Sequence, residues 1–335
     1  MSSEDTMEQN VSSQMIADHI KEKSLRWQDL KNEVKKAIVG QDYVIDRIFI
    51  GLLCNGHILL EGVPGLAKTT LIKSIAQAIG LSFQRIQFTP DLLPADLVGT
   101  MVYNPKTQEF QTKKGPIFAH LILADEINRA PAKVQSALLE AMQEHQVTIG
   151  DATYPLEQPF LVLATQNPID QEGTYRLPEA QMDRFMFKVV MTYPKMAEEK
   201  EVVVKAFNPK EIYKTVEKEE IAQAQALVKQ VYIDDKVVDY ILSIVFATRN
   251  PKEHGLDDVH NFIEYGASPR ATLALTYAAK AHAFLKKRHF VIPDDIKAVA
   301  PDILRHRIML TYEAEAENVT TDLLLQKVLR VIHAP

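Results

Sequence analysis

Residues 57–70 read HILLEGVPGLAKTT: a short apolar strand, a loop with glycine and proline, and then Lys-Thr-Thr at the start of a helical pattern. This order predicts a phosphate-binding loop. Gly62 and Gly65 allow the backbone to bend so that successive N–H groups point at phosphate oxygens. We expect Lys68 to bind the same oxygens, and the positive end of the following helix to attract them.

The loop departs at one position from the pattern G-x-x-x-x-G-K-[ST]. Ala67 stands where the second glycine is expected. Alanine is small and accepts many conformations with negative φ, so we interpret the loop as a functional variant. The Thr69 hydroxyl is the expected Mg²⁺ ligand of such a loop. The predicted nucleotide-binding residues here are Gly62, Val63, Pro64, Gly65, Leu66, Ala67, Lys68, Thr69 and Thr70.

A second motif lies at residues 119–126, which read AHLILADE. Its apolar run predicts a strand buried on both faces, and the strand ends in two adjacent acids. In a doubly wound sheet, this end of a central strand lies beside the phosphate loop. We expect Asp125 to hold Mg²⁺ through water, and Glu126 to act as the general base on the attacking water.

Composition indicates an ordinary globular protein. The chain has 335 residues, 46% hydrophobic and 24% charged, which leaves room for two domains. A net charge of −6 gives no reason to expect nucleic acid as a partner. The single cysteine, Cys54, excludes an internal disulfide and suits a reducing compartment. No signal peptide or membrane-spanning run is apparent, so we expect a cytoplasmic protein without a direct membrane span.

The order of patterns predicts two domains. Residues 1–12 are predicted to be disordered, residues 13–194 to form an α/β core with a parallel sheet, and residues 195–335 to be helical.

Two segments interrupt the core pattern. Residues 89–116 are too long for a simple link, and residues 146–158 predict a β-hairpin that turns at Gly150-Asp151. Both are either ordinary surface loops or a working surface that moves with the nucleotide state.

Four further polar residues are candidates for catalysis. Asn167, after the apolar strand FLVLAT, is either a sensor of the γ-phosphate that orients water or a turn former before proline. Arg184 is either a residue that reaches a neighbouring subunit's nucleotide or a surface ion-pair partner of nearby acids. Arg270 can reach the phosphates from the second domain. Arg129 can act in trans or in a structural ion pair, and the sequence leaves both open.

Five motifs together resemble the MoxR family of AAA+ ATPases: EGVPGLAKT, ADEINRAP, ATQNP, LPEAQMDRF and GASPR. The resemblance covers roughly residues 35–335. It implies an AAA+ core with strand order 5-1-4-3-2, a helical lid, and the cofactors ATP and Mg²⁺. In this family the G-x-x-x-x-A-K variant is usual.

The resemblance also implies a mode of action. Members form rings, usually hexamers, with ATP between subunits. They resemble chaperones that remodel or mature client proteins, including metal-centre loading, often with a partner that carries a von Willebrand A domain. By the same resemblance, Val39, Gly40 and Gln41 contact adenine, Asn167 is sensor 1, Arg184 the arginine finger and Arg270 sensor 2.

An ATP-driven protein remodeller and other classes of function predict different residues in this sequence. A nucleic-acid motor predicts basic residues on the insertions, but residues 146–158 contain none, and residues 89–116 contain only Lys106, Lys113 and Lys114. A non-hydrolysing scaffold predicts the loss of Glu126 or Arg184, and both are present. A chelatase-like motor that inserts a metal is close to the remodeller, because it shares the core architecture.

Overall fold

A computed structural model describes residues 3–63, 65–168, 174–175 and 177–335, with the side chains of the first helix described from residue 14. The strands, in chain order, are β1 (Ile58–Glu61), β2 (Phe83–Gln87), β3 (Gly99–Asn104), β4 (Glu109–Lys114), β5 (Leu121–Asp125), β6 (Gln146–Ile149), β7 (Ala152–Pro155), β8 (Leu161–Gln166), β9 (Phe187–Val190), β10 (Ile263–Tyr265) and β11 (Met309–Leu310).

The α-helices, in chain order, are α1 (Ser3–Val34), α2 (Asp42–Cys54), α3 (Lys68–Ile79), α4 (Pro94–Val98), α5 (Ala132–Glu144), α6 (Glu179–Met182), α7 (Met196–Phe207), α8 (Lys218–Gln230), α9 (Asp235–Arg249), α10 (Pro269–Leu285), α11 (Pro293–Leu304), α12 (Tyr312–Ala316) and α13 (Thr321–Val331). Short 3₁₀ turns occupy Ile127–Arg129, Pro251–His254 and Asp257–Phe262. None of the described helices combines the length and apolar composition that a membrane crossing requires.

Five strands form a parallel sheet in the order β2-β5-β8-β1-β9. Numbered by their order in the chain, these strands run 2-3-4-1-5, which is the predicted order 5-1-4-3-2 viewed from the other edge. The fold class is therefore confirmed. The strands β1, β5 and β8 are buried almost throughout, as their apolar sequences predict. The edge strand β2 buries only Ile86 and leaves its polar residues at the surface.

Both predicted insertions contain antiparallel hairpins. The predicted hairpin at residues 146–158 is confirmed as β6–β7, and Gly150 and Asp151 are the two residues between its strands. Gly150 has φ +61°, which suits the tight turn. The earlier insertion contains α4 and the hairpin β3–β4. This hairpin exposes a large apolar surface, including the neighbouring rings of Tyr103 and Phe110 with centroids 5.4 Å apart.

The chain divides into two compact units: a core unit, Leu30–Lys218, and a second unit formed by Glu219–Pro335 with residues up to Asp29. This division falls later than the predicted boundary after residue 194, because hydrogen bonds join α7 and the chain after it to the core. The Lys205 ammonium donates to the Lys35 carbonyl at 2.6 Å. The Thr215 N–H donates to the Ala78 carbonyl at 2.7 Å.

The N-terminal segment also differs from the prediction. The helix α1 begins at Ser3, so residues 3–12 are helical in this structure, where the sequence predicts disorder. Further along α1, Ile20 and Trp27 are buried. An ion pair from Arg26 to Glu220 joins this segment to α8 within the second unit.

The second unit is mainly helical, as predicted, with a small antiparallel pair of β10 and β11. A buried carboxylate links its helices. Asp295, near the start of α11, accepts two hydrogen bonds from Arg288 at 2.6 and 2.7 Å. It also lies 2.6 Å from the His282 ring nitrogen on α10. Although burial opposes its ionisation, these bonds lower the pKa of Asp295.

A buried histidine joins three core elements. His57, just before β1, accepts a hydrogen bond at Nδ1 from the Val162 N–H at 3.0 Å. The proton therefore lies on Nε2, which donates to the Met142 carbonyl at 3.0 Å. Burial lowers the pKa of His57 from 6.5 to about 4, although the bond to Met142 opposes the shift. The core thus requires a neutral imidazole.

We predict that this histidine makes folding sensitive to acid. Its pKa is lower in the folded chain than in the unfolded chain, so its contribution to stability is present above pH 6.5 and is lost as the pH falls towards 4. Between pH 7.5 and 5 the wild type should lose about 2 kcal/mol more stability than His57→Gln. Urea unfolding measures this difference, with the exposed His260→Gln as control. An identical pH dependence in wild type and His57→Gln would contradict the assignment.

Candidate active site

The loop after β1 turns at the carboxyl end of the central sheet. Its first residue, Gly62, donates its N–H to the Gln166 carbonyl at the end of β8, at 3.2 Å. A Cβ atom at Gly62 would lie 3.0 Å from the Met191 carbonyl oxygen, which is closer than such atoms normally approach. A side chain here would force this loop or the chain after β9 to shift by a few tenths of an ångström.

The position that departs from the glycine pattern has an unexpected conformation. Ala67 has φ +54°, whereas the sequence analysis expects negative φ for this alanine. The left-handed region costs a non-glycine residue about 1–2 kcal/mol. Ala67 is the N-cap residue of α3, and its carbonyl accepts the first helical bond from Leu71 at 2.9 Å. No side chain caps this helix end, so its N–H groups can bind an anion.

Lys68 is the first residue of α3, and its side chain folds back over the loop. Its Nζ donates to the Gly62 carbonyl at 2.6 Å. Burial lowers the pKa of Lys68, and the carboxylates of Asp125, Glu126 and Glu61 oppose that shift. The ammonium group is thus partly desolvated beside three acids, which is a suitable place for a group that binds phosphate.

Asp125 ends β5, and both of its carboxylate oxygens have protein partners. Thr165 on the neighbouring strand β8 donates its hydroxyl to Oδ1 at 2.6 Å. Arg85 on β2 donates to Oδ2 from Nε at 3.1 Å and from Nη2 at 2.6 Å. The Thr165 hydroxyl also accepts the backbone N–H of Glu126 at 2.8 Å, so one side chain positions both acids.

Glu126 has φ +57°, a strained conformation for a residue other than glycine. Its Oε2 accepts a hydrogen bond from the Gln87 amide at 2.9 Å and another from Arg129 at 2.8 Å. Arg129 therefore forms the structural ion pair that was one of its two predicted roles. The sequence analysis missed Arg85, Gln87 and Thr165. Only Thr165 carried a signal, as a hydroxyl within an otherwise apolar strand.

These residues surround a cavity of about 420 Å³ with a polar lining. Asn167, which follows β8, lines this cavity together with Asp125 and Glu126. The predicted metal residues Thr69 and Asp125 thus meet Glu126, Asn167 and most of the predicted loop around one cavity. The residues that line it are Gly62, Gly65, Leu66, Ala67, Lys68, Thr69, Thr70, Arg85, Gln87, Asp125, Glu126, Thr165 and Asn167.

A second cavity, of about 720 Å³, shares Gly65, Leu66, Ala67 and Thr70 with the first. Its remaining lining comes from residues 36–41, from α7 and from the chain that flanks this helix. Of the three residues predicted to contact adenine, Val39 and Gln41 line this cavity and Gly40 does not. Gly40 lies between them with φ +70°, which shapes the turn before α2.

Five of the predicted residues, Gly40 among them, lie apart from these cavities or outside the described part of the chain. Arg184 is exposed between α6 and β9 and lines neither cavity. Arg270 is exposed in the first turn of α10, within the second unit. Val63 lines neither cavity, and Pro64 lies outside the described residues. Within the described residues, no group of three or more metal-ligating side chains is assembled.

Comparison with known proteins identifies the class. Residues 57–187 match the family model of ATPases associated with various cellular activities (AAA), and residues 257–328 match the AAA lid domain. Strands β1, β2, β5 and β8, the loop after β1 and the acid pair lie within the first match, which ends at the first residue of β9. The fold and the site thus define an AAA ATPase with a helical lid.

Individual relatives define the family more narrowly. The chain is 47% identical to the chaperone MoxR1 of Mycobacterium tuberculosis, over 90% of this chain and 81% of the relative. It is 43% identical to the uncharacterized protein YeaC of Bacillus subtilis, over 90% and 92%. A crystal structure of a putative ATPase from Cytophaga hutchinsonii superimposes with a TM-score of 0.90 at 51% identity, covering 98% of this chain and 99% of that one. The chain belongs to the MoxR family of AAA ATPases.

We predict that the Thr165 hydroxyl stabilises the fold through its bonds to the acid pair. Thr165→Val keeps the shape but leaves the Glu126 N–H and one Asp125 oxygen without this partner. The free energy of unfolding should fall by about 1–3 kcal/mol, measured by urea denaturation. Thr165→Ser keeps the hydroxyl and is the matched control. A valine variant as stable as the serine variant would show that the two bonds contribute nothing.

Proposed function

We propose that the chain is a Mg²⁺-dependent ATPase that uses the hydrolysis of ATP to remodel or mature a client protein. One observation carries this proposal. The phosphate-binding loop, Lys68, the acid pair Asp125 and Glu126, and Asn167 line a single polar cavity at the carboxyl edge of the sheet. Membership of the AAA ATPase family implies ATP binding and hydrolysis, and the cavity has the groups that both require.

The two neighbouring cavities suit the two parts of ATP. The larger cavity, beside Val39 and Gln41, is lined mainly by apolar side chains and suits a planar base. The smaller cavity has Lys68 and the uncapped start of α3, which suit the phosphates. The residues shared by the two cavities belong to the loop and the start of α3. The loop would therefore bind the phosphate chain where it passes from one cavity to the other.

The side chains present also suit Mg²⁺. Thr69 and Asp125 offer oxygen donors at the polar cavity, and magnesium prefers oxygen ligands together with water and phosphate. When bound, the cation supplies positive charge against the phosphate oxygens. In this proposal Thr69 and Asp125 hold it, while Lys68 binds the phosphates from the other side.

Hydrolysis requires a base and an oriented water molecule. Glu126 is the proposed base, and the Asn167 amide is the proposed group that orients the water with it. In this structure Gln87 and Arg129 both donate to Oε2 of Glu126, and these bonds compete with a water molecule at that oxygen.

We infer the assembly from the family relationship. The proposed active form is a ring, usually hexameric in this family, with ATP between subunits. Arg184 would act as the arginine finger on the neighbouring subunit's nucleotide, consistent with its exposure and its absence from this chain's own cavity. Arg270 would act as sensor 2 from the lid. A von Willebrand A domain protein is the proposed partner, and metal-centre loading a more specific form of the function.

The surface of the insertions favours a protein client over nucleic acid. The hairpin β3–β4 exposes Met101, Val102, Tyr103 and Phe110, which are suited to apolar contacts with a polypeptide. The ammonium group of Lys114, one of its few basic residues, lies over the Phe118 ring at 4.7 Å. The alternative of a non-hydrolysing scaffold has less support, because the base and the arginine candidate are both present.

We predict that Glu126→Gln binds ATP but hydrolyses it about 10²–10⁴-fold more slowly, because the amide cannot accept the proton from water. Phosphate release measures turnover, and a fluorescent ATP analogue measures binding. The exposed Glu140→Gln is the matched control and should behave as wild type. Turnover of Glu126→Gln near the wild-type rate would remove this residue as the base.

We predict that Arg184→Ala subunits are inactive alone and regain turnover when mixed with Glu126→Gln subunits. Only a trans arginine allows this rescue, because one interface in four then combines an intact base with an intact arginine. A random 1:1 mixture should reach about a quarter of the wild-type rate. Mixing Glu126→Gln with Lys68→Ala is the control without rescue, since both defects affect the same side of each interface. No rescue in the first mixture would contradict the trans role.

A further inference from the structure

Arg85 makes a connection across the active site that ATP hydrolysis alone does not explain. It lies on the edge strand β2, and its register partner on β5 is Leu123, two residues before Asp125. Its side chain reaches along the sheet to Asp125 Oδ2 with two donors, Nε at 3.1 Å and Nη2 at 2.6 Å. The side chain is about half exposed, at 48%, so it has room to move.

This ion pair conflicts with cation binding at the same carboxylate. Thr165 occupies Oδ1 of Asp125 and Arg85 occupies Oδ2. A divalent cation needs one of these oxygens, directly or through a water molecule. The guanidinium group and the cation also repel each other in a partly buried site. Oδ2 is the oxygen more readily freed, because its partner is half exposed whereas Thr165 is buried.

The same guanidinium group is linked to the proposed base. Its Nη2 donates to the Gln87 Oε1 at 2.9 Å, and the Gln87 Nε2 donates to Glu126 Oε2 at 2.9 Å. An amide offers oxygen on one side and NH₂ on the other, so the bond from Arg85 orients Gln87 with its donor towards Glu126. Loss of the Arg85 bond would leave the amide free to rotate away from Glu126.

We propose that Arg85 is a positioning residue that competes with the cation for Asp125 and couples cation binding to the loss of the Gln87 bond to Glu126. Before the nucleotide and cation arrive, Arg85 neutralises Asp125 and holds Gln87 against Glu126. The incoming cation displaces Arg85 from Oδ2, and Gln87 loses its orienting bond. Of the two donors to Glu126 Oε2, Gln87 can then turn away while Arg129 stays in place. This inference rests on the proposed ATPase function and adds an order to its steps.

Manganese binding tests the competition directly. Mn²⁺ replaces Mg²⁺ and is followed by the loss of the free-ion EPR signal, in the ADP complex and in the nucleotide-free chain. Arg85→Gln should bind Mn²⁺ about five- to tenfold more tightly than wild type, because the competing charged hydrogen bonds are gone. Arg129→Gln removes an equal charge nearby without touching the Arg85–Asp125 pair, and should change the affinity by no more than about twofold.

The outcomes separate this inference from the proposed function. Equal gains in Mn²⁺ affinity in Arg85→Gln and Arg129→Gln would show that the effect comes from net charge alone. That result would overturn the competition. Weaker Mn²⁺ binding in Arg85→Gln would overturn it by showing that Arg85 supports the bound ligands. A wild-type chain that does not bind ADP would contradict the ATPase function, while Mn²⁺ binding to the nucleotide-free chain would still decide the competition.

A double-mutant cycle on Mn²⁺ affinity tests the coupling. The Arg85–Gln87 bond is lost when the cation displaces Arg85, so Gln87→Leu removes one bond that opposes the cation and should tighten Mn²⁺ binding by about two- to threefold. In the Arg85→Gln background the same change should have no further effect, and the double variant should match Arg85→Gln. Independent, multiplicative effects on the Mn²⁺ affinity would overturn the coupling.

Discussion

The active site depends on the parallel pairing of three neighbouring strands, β5, β8 and β1. Parallel strands place their carboxyl ends at the same edge of a sheet, so the acids after β5, the hydroxyl near the end of β8 and the loop after β1 meet there. The Thr165 hydroxyl joins two of these ends, because it donates to the Asp125 carboxylate and accepts the Glu126 N–H. The Gly62 N–H joins the third end to β8. A change in the register of any one strand would separate these groups.

Local patterns in the sequence were enough to predict the five strands of the parallel sheet, the hairpin β6–β7, the loop after β1 and the acid pair, but not the strands β3, β4, β10 and β11. The residues that hold the acids were harder to find, because their role depends on which strands are neighbours. The sequence of β2, FQRIQ, has one buried apolar residue and is typical of a surface strand. Arg85 and Gln87 lie on the same face of it, but only the pairing of β2 with β5 brings them to Asp125 and Glu126. Thr165 carried a local signal, since a hydroxyl in a buried strand needs a partner.

The unit boundary and the conformation of Ala67 were beyond a local prediction for the same reason. The strand pattern does stop near residue 194, but α7 and the chain after it return to the core through bonds between distant residues, such as that from Lys205 to Lys35. The positive φ of Ala67 follows from the path of the chain between β1 and α3. Alanine itself does not favour this conformation. In both cases, contacts far apart in sequence override what the neighbouring residues favour.

The backbone and the side chains have different roles in this site. Ala67 and Glu126 both have left-handed conformations, which persist only where the surrounding structure fixes the chain. The backbone at these two positions beside the cavity is therefore held in place by its surroundings. The groups that hold the acids from the outer side, Arg85, Gln87 and Arg129, are partly exposed and bind through hydrogen bonds and ion pairs, which are weak near solvent. The acids can then exchange partners while the backbone keeps its place, because each lost bond to an exposed side chain is replaced by water or by a bound ligand.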